Sequence, residues 1–361
     1  MEFVHDTLGQ RVRFGSGQAA AMLAAEVSQR GAQRVMVIAA AAERELAARV
    51  TAEIPVAATY DEVAMHVPVE VAQRARDRAG AIDADLVVSV GGGSTTGLGK
   101  AIALTSGVAL IAVPTTYAGS EATNVWGLTE GGHKTTGVDL RVLPRAVIYD
   151  AELTLSLPVE LSVASGLNAL AHCVDSMWAP HADPINAALA AEGIRALSAG
   201  LPQVVEDPAG LPGRELALYA AYLSAVAFAS AGSGLHHKIC HYLGGAFNLP
   251  HAQTHAVVLP YVLALNGPAA PAAQRRIADA FGSVDALSGL AALGEALDAP
   301  RALRDYGLSR DAIAGAAEAL VAVVPPSNPR QVDETDLRAL LEAAWAGADP
   351  RTLTTPEASL R

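Results

Sequence analysis

Histidines at helical spacing are the residues of this chain best suited to do chemistry. SGLNALAHCVD sets Asn168 and His172 four residues apart, SGLHHKICHYLGG does the same for His237 and His241, and NLPHAQTH adds His251 directly after Pro250. Residues at i and i+4 stand one above the other on a helix face. Polar side chains stacked on otherwise apolar helices must meet something that satisfies them, either a metal or a reacting ligand. An imidazole titrates near neutrality, at about pH 6.5 when unperturbed, and so also suits proton transfer. His236 and His255 read as surface or structural residues. Cys173 and Cys240, the 2 cysteines, form no CxxC pattern and read as buried free thiols.

A second chemical signal is DLVVSVGGGSTTGLGKAIAL, which places Gly91, Gly92, Gly93, Ser94 and Thr95 between a buried strand and a helix. Consecutive glycines let a ligand approach the backbone, and the helix N-terminus that follows offers N–H groups to an anion such as a pyrophosphate. The run is neither GxGxxG nor a Walker A loop. VPTTYAGSEATNVWGLT adds Thr115, Thr116 and Ser120 at the same sheet edge. Their hydroxyls either bond phosphate or a nicotinamide carboxamide, or cap the next helix. Lys134, in the hairpin pattern GGHKTTG, either reaches a ribose or phosphate or is solvated. Where dinucleotide folds often carry an acid for the adenosine ribose, the sequence reads Ala39, Ala40, Ala41, Ala42. This leaves NADH and NADPH both open.

The elements that must position these residues follow from patterning. β-Branched runs at 34–39, 85–90, 108–113 and 146–149 alternate with helical stretches at 18–29, 43–51, 69–79 and 96–105, which predicts a doubly wound parallel sheet covered on both faces. Beyond Asp150 no comparable run occurs. Ala-rich helical segments continue, with breaks expected at Pro180, Pro184, Pro202, Pro208, Pro250 and Pro260. The reading is an α/β dinucleotide-binding domain over 1–154 and an all-helical substrate domain over 155–361, with a ligand cleft expected between them.

Length and charge bound the function. The chain has 361 residues, 51% hydrophobic and 17% charged, enough for two packed domains and too apolar for a disordered chain. Lys+Arg 25 against Asp+Glu 37 gives −12, which opposes binding to nucleic acid or an anionic membrane and requires any anion site to be built locally. The N-terminal residues lack a signal pattern, and stretches such as 104–113 are too short to span a bilayer. The expectation is a soluble, cytoplasmic protein.

The order GGGS, PTT…GSE, N-x-x-x-H and then H-x-x-x-H-x9-H resembles the iron-type (group III) alcohol dehydrogenases. Within them GGGSTTGLGKAIAL, VPTTYAGSEATNVWGLTE, HKTTG…LPRAVIYD and SGLNALAHCVD are similar to the maleylacetate reductases, across 14–347. That resemblance implies the dehydroquinate synthase-like fold, a homodimer, and NADH- or NADPH-dependent reduction of the carbon–carbon double bond of maleylacetate to 3-oxoadipate in aromatic compound degradation. It also assigns positions. The family's Asp and three His metal ligands fall on Asn168, His172, His237 and His251, and the His beside the nicotinamide falls on His241. Asn168 replaces the family's Asp, so the site loses its only anionic ligand and a metal is not expected to be required. Gly97, where many family members have Asp, is a second departure that follows the maleylacetate reductase form.

The resemblance suggests that His172, His237 and His251, partly protonated, polarise the oxo group or hold a carboxylate, with Asn168 orienting them and His241 donating the proton. Lys238 and Arg330 are weaker candidates for binding the substrate's carboxylates. Competing readings are a metal-dependent alcohol or glycerol dehydrogenase, a lyase that uses NAD without net redox change, and a non-catalytic binding protein.

Overall fold

The computed structural model describes residues 2–131 and 133–353, without the side chains of His133 and Lys134. The chain divides into two compact units. One comprises Thr7–Pro158 with Pro208–Leu218, and the other Met1–Asp6, Val159–Asp207 and Tyr219–Arg361.

The first unit holds β1 (Arg11–Phe14), α1 (Ala19–Arg30), β2 (Val35–Ile38), α2 (Arg44–Val50), β3 (Val56–Tyr60), α3 (Val69–Ala81), β4 (Leu86–Gly91), α4 (Gly93–Ser106), β5 (Ala109–Pro114), β6 (Val125–Glu130), β7 (His133–Val138) and β8 (Ala146–Tyr149). Six strands pair in parallel in the order β1-β8-β5-β4-β2-β3, and β6 with β7 forms an antiparallel hairpin. The expected strands coincide with β2, β4, β5 and β8, whose residues are almost all buried. Continuous Val, Ile and Leu runs are what a strand covered on both faces requires.

β1 and β3 were not expected from the sequence, because both lie at sheet edges. RVRF and VAATY are largely solvent-facing and lack the buried-strand pattern. Core residues lie on both sides of the sheet, with Val35, Val37, Val88 and Ile111 in one cluster and Met36, Ile38, Val87 and Leu110 in the other. Arg214, fully buried, ties Pro208–Leu218 to this unit by donating to the carbonyl oxygens of Thr154 and Pro208.

The remaining elements are helices: α5 (Val159–Ser176), α6 (Pro184–Glu206), α7 (Leu211–Ala231), α8 (Leu235–Phe247), α9 (His251–Asn266), α10 (Pro271–Phe281), α11 (Ala286–Ala296), α12 (Ile313–Val321) and α13 (Glu334–Ala346). The second unit has no strand among its described residues. Every residue of α5 from Ser162 to Ser176 is buried, so it is a central helix, packed on α6, α8 and α9.

Two expected breaks are corrected. Pro202 and Pro260 lie inside α6 and α9. An interior proline removes one helix hydrogen bond and crowds the preceding turn. Here the adjacent residues Leu201, Val204, Leu259 and Tyr261 are buried, and their packing keeps the helices continuous. Pro184 opens α6 at its first turn and Pro250 is the N-cap of α9, positions that tolerate a missing N–H.

Candidate active site

In the α/β unit, Gly91 ends β4 and pairs with Pro114 at the end of β5, which places the glycine-rich turn at the C-terminal edge of the sheet. Gly91 has φ 150°, and a Cβ there would stand 2.5 Å from both Glu43 Oε2 and Thr95 Oγ1. Only glycine fits. Gly92 is the N-cap of α4, with no side-chain cap, and α4 begins at Gly93. Ser94 and Thr95 therefore lie in the first helical turn and not in the preceding loop, a correction of the expected boundary. The start of a 14-residue helix directed at the sheet edge is an anion-binding feature.

Thr116 packs against Gly92, where a Cβ would be 3.0 Å from Thr116 Cγ2. Thr115 donates its hydroxyl to Glu43 Oε1 at 2.6 Å. Ser120 opens the short turn Ser120–Ala122, and no side chain caps that turn. Helix capping is therefore not the role of these hydroxyls. The side chain of Lys134 lies outside the described residues.

Glu43 is a residue that the sequence reading missed, since the search for an acid after β2 stopped at Ala42. Burial raises its pKa, against lowering by the hydrogen bonds from Thr115 and the Ala40 backbone.

In the helical unit, α5, α8 and α9 bring the expected histidines together. The rings of His172 and His237 stack at 4.9 Å between centroids and 15° between planes, with Phe228 of α7 at 4.8 and 4.3 Å. His241 lies 6.0 Å from His237 and 6.3 Å from His251. Asn168, His172 and His237 are buried, while His241 and His251 are half-buried. Asn168 Oδ1, His172 Nδ1 and His237 Nε2 are all buried and have no hydrogen-bond partner among the described residues. Buried polar atoms left unpaired are costly, which marks this as a place prepared for a ligand.

The orienting carboxylate is Asp175, which the sequence reading overlooked. It lies one turn beyond His172 on α5, fully buried, and accepts from His237 Nδ1 at 2.7 Å and from the Gly234 amide at 2.9 Å. A Cβ at Gly234 would overlap Asp175 Oδ1. The Asp175 bond fixes the proton on His237 Nδ1 and turns the Nε2 lone pair outward. Orientation of the cluster thus comes from Asp175; the expected role of Asn168 finds no support in its Oδ1, which bonds nothing described. The i+3 step from His172 was a usable signal.

Charge also differs from expectation. Burial lowers His172 to about 4 and His237 well below its usual value, so both are neutral near pH 7 and not partly protonated. Burial raises Asp175 to about 7, against lowering by the amides of His237 and Gly234. His236 and His255 are not at the surface. Both are buried, and His236 Nε2 lies 2.9 Å from His255 Nδ1. Arg330 pairs with Asp336 at 2.5 Å, and Lys238 is half-buried on α8.

Asn168, His172, His237 and His251 include no carboxylate to neutralise a divalent metal ion. Three imidazoles and an amide bind such an ion more weakly than a set that includes an anionic ligand, and the His172 and His237 rings lie within 15° of parallel. Among the described residues, the group whose ligand atoms all lie within 4.8 Å is instead His236, Cys240 and His255. Its two imidazole nitrogens are engaged with each other, and burial raises the Cys240 thiol well above its ordinary range.

Known proteins with this architecture define the class. Residues 9–151 match the family model for iron-containing alcohol dehydrogenase, and 162–345 match the C-terminal model of the Fe-containing alcohol dehydrogenase family. The chain belongs to the iron-containing alcohol dehydrogenase family. Within it, the chain is 45% identical over 350 residues to the maleylacetate reductase of Burkholderia cepacia, covering 96% of this chain and 99% of that one. The crystal structure of maleylacetate reductase from Agrobacterium tumefaciens superposes with a TM-score of 0.91 at 43% identity, covering 97% and 100%. A crystal structure of iron-containing alcohol dehydrogenase from Corynebacterium glutamicum gives 0.96 at 61% identity, covering 98% and 99%. The chain groups with the maleylacetate reductases of the family.

Proposed function

We propose that the protein is an NAD(P)H-dependent reductase of maleylacetate that yields 3-oxoadipate and needs no metal. The observation that carries this reading is that Asn168 Oδ1, His172 Nδ1 and His237 Nε2 are all buried and unpaired beside stacked, neutral His172 and His237 rings. Maleylacetate suits it because the 4-oxo group is conjugated with the double bond. A simple ketone benefits from a Lewis acid to polarise it, whereas an enone accepts hydride at the alkene carbon β to the oxo group. A bound nicotinamide would supply that hydride, and the π electrons of the enone would move onto the oxo oxygen as an enolate. A proton delivered to the adjacent carbon restores the ketone and gives 3-oxoadipate.

Gly91 to Thr95 hold the pyrophosphate at the start of α4, and Thr115, Thr116 and Ser120 bond phosphate or the nicotinamide carboxamide. His172, His237 and His251 surround the oxo group or a carboxylate, and His237, its Nδ1 proton fixed by Asp175, keeps one orientation. Neutral His172, with its proton on the unpaired Nδ1, donates to the enolate oxygen without a buried charge that must be neutralised between turnovers. His241 donates the proton.

Homodimeric assembly and a cytoplasmic location belong to the same reading. Pro271–Ala296, apolar enough overall to cross a bilayer, consists of two 11-residue helices, α10 and α11. Each is about 16 Å long, short of the roughly 30 Å hydrocarbon layer.

The test is NADH oxidation with freshly generated maleylacetate, with and without a strong chelator, alongside metal analysis of the same sample. Turnover unaffected by chelation, with metal far below one per chain, is expected. Chelator-sensitive oxidation of simple alcohols with no turnover of maleylacetate would overturn the reading in favour of a metal-dependent alcohol dehydrogenase.

A further inference from the structure

The segment after β2 ends in Glu43, and the fold brings its carboxylate to the beginning of the glycine-rich turn. β2, β4 and β5 are neighbours in the sheet, so their C-terminal ends lie side by side. The hydroxyl of Thr115, just past β5, holds Glu43 Oε1 at 2.6 Å, and Oε2 reaches to 2.5 Å from the position a Cβ would take at Gly91 on β4. The carboxylate is thus fixed across three strand ends, two residues before α4 begins. The adjacent cation, Arg44, pairs with Asp61 and leaves the charge of Glu43 uncompensated by it.

We propose that Glu43 selects NADH over NADPH. This rests on the reading of the glycine-rich turn as a dinucleotide site. A carboxylate has about four acceptor positions, so with Thr115 bound it still accepts from the ribose hydroxyls. A 2′-phosphate brings about two negative charges toward the same oxygens and is repelled. Position 43 thereby supplies the acid that Ala39 to Ala42 lack, delivered from further along the chain by the turn Ala41–Glu43.

The experiment compares wild type, Glu43→Gln and Thr115→Val for NADH and NADPH, by fluorescence titration and by kcat/KM with maleylacetate. Wild type is expected to prefer NADH by at least tenfold, and Glu43→Gln to cut that preference at least tenfold, mainly through better use of NADPH. Thr115→Val keeps the charge but releases the carboxylate, and is expected to cut the preference by less than Glu43→Gln does. In wild type, raising salt from about 0.05 to about 0.5 M should narrow the preference, because repulsion is screened. A wild type that uses both cofactors equally, or a Glu43→Gln variant that weakens both by the same factor, overturns the proposal. Failure of wild type to bind either cofactor overturns the dinucleotide reading itself, and the inference with it.

Discussion

Asp175 accepts a hydrogen bond from His237 and none of its atoms needs to touch substrate, so its replacement separates orientation from chemistry. Asp175→Ala leaves His237 Nδ1–H unpaired and free to exchange tautomers. The expected loss in kcat is about 10- to 100-fold, the range for residues that orient an active imidazole through its second nitrogen, with NADH binding by fluorescence unchanged. Asn168→Asp tests the neutrality of the cluster. It puts a buried carboxylate beside neutral imidazoles in a site for a dianion, and kcat/KM for maleylacetate should fall at least tenfold; an unchanged value would show that this position does not face the substrate. Gly91→Ala probes the other site. A Cβ there is strained at φ 150° and would meet Glu43 Oε2 and Thr95 Oγ1, so the Kd for NADH should rise several-fold while maleylacetate protection of the helical unit against proteolysis persists.

Helices α5, α8 and α9 carry an unusual load of buried imidazole, and this gives the protein an acid-sensitive element. Folded-state pKa values are about 4 for His172 and about 3 for His236, and lie well below 6.5 for His237 and His255, all first by burial. Below about pH 6.5 the unfolded chain takes up protons that the folded helices refuse, so stability declines as pH falls from there toward 4. Asp175 acts in the opposite sense. Raised to about 7, it holds a proton in the folded state that the unfolded chain has released above 3.8, so its contribution declines as pH rises through that window. Four histidines against one carboxylate give a net loss of stability on acidification. Urea midpoints measured between pH 7.5 and 5 check the sign; a midpoint that rises on acidification would contradict it.

At the scale of the whole molecule, a net charge of −12 faces a dianionic substrate. At low ionic strength the long-range field opposes encounter, and added salt screens it within a Debye length of about 8 Å near 0.15 M. kcat/KM for maleylacetate should therefore rise modestly between about 0.01 and about 0.15 M salt, through KM rather than kcat; a fall would mean that local cations dominate the approach.

Much of this protein was legible in its residues alone. β2, β4, β5 and β8 are central strands and had to be continuously apolar, so their β-branched runs declared them, while RVRF and VAATY at the edges could be polar and went unread. The i, i+4 pairs on α5 and α8 survived because helix geometry is local, and the long motifs around GGGS and NALAH were enough for the family. Four other features depended on through-space environment. Asp175 joins His237 across two helices, Glu43 reaches Gly91 across neighbouring strands, His236 and His255 are buried together, and the low dielectric around the imidazoles makes them neutral. Spacing along a chain encodes which side chains share a face; desolvation and partners 62 residues apart exist only once the faces have packed.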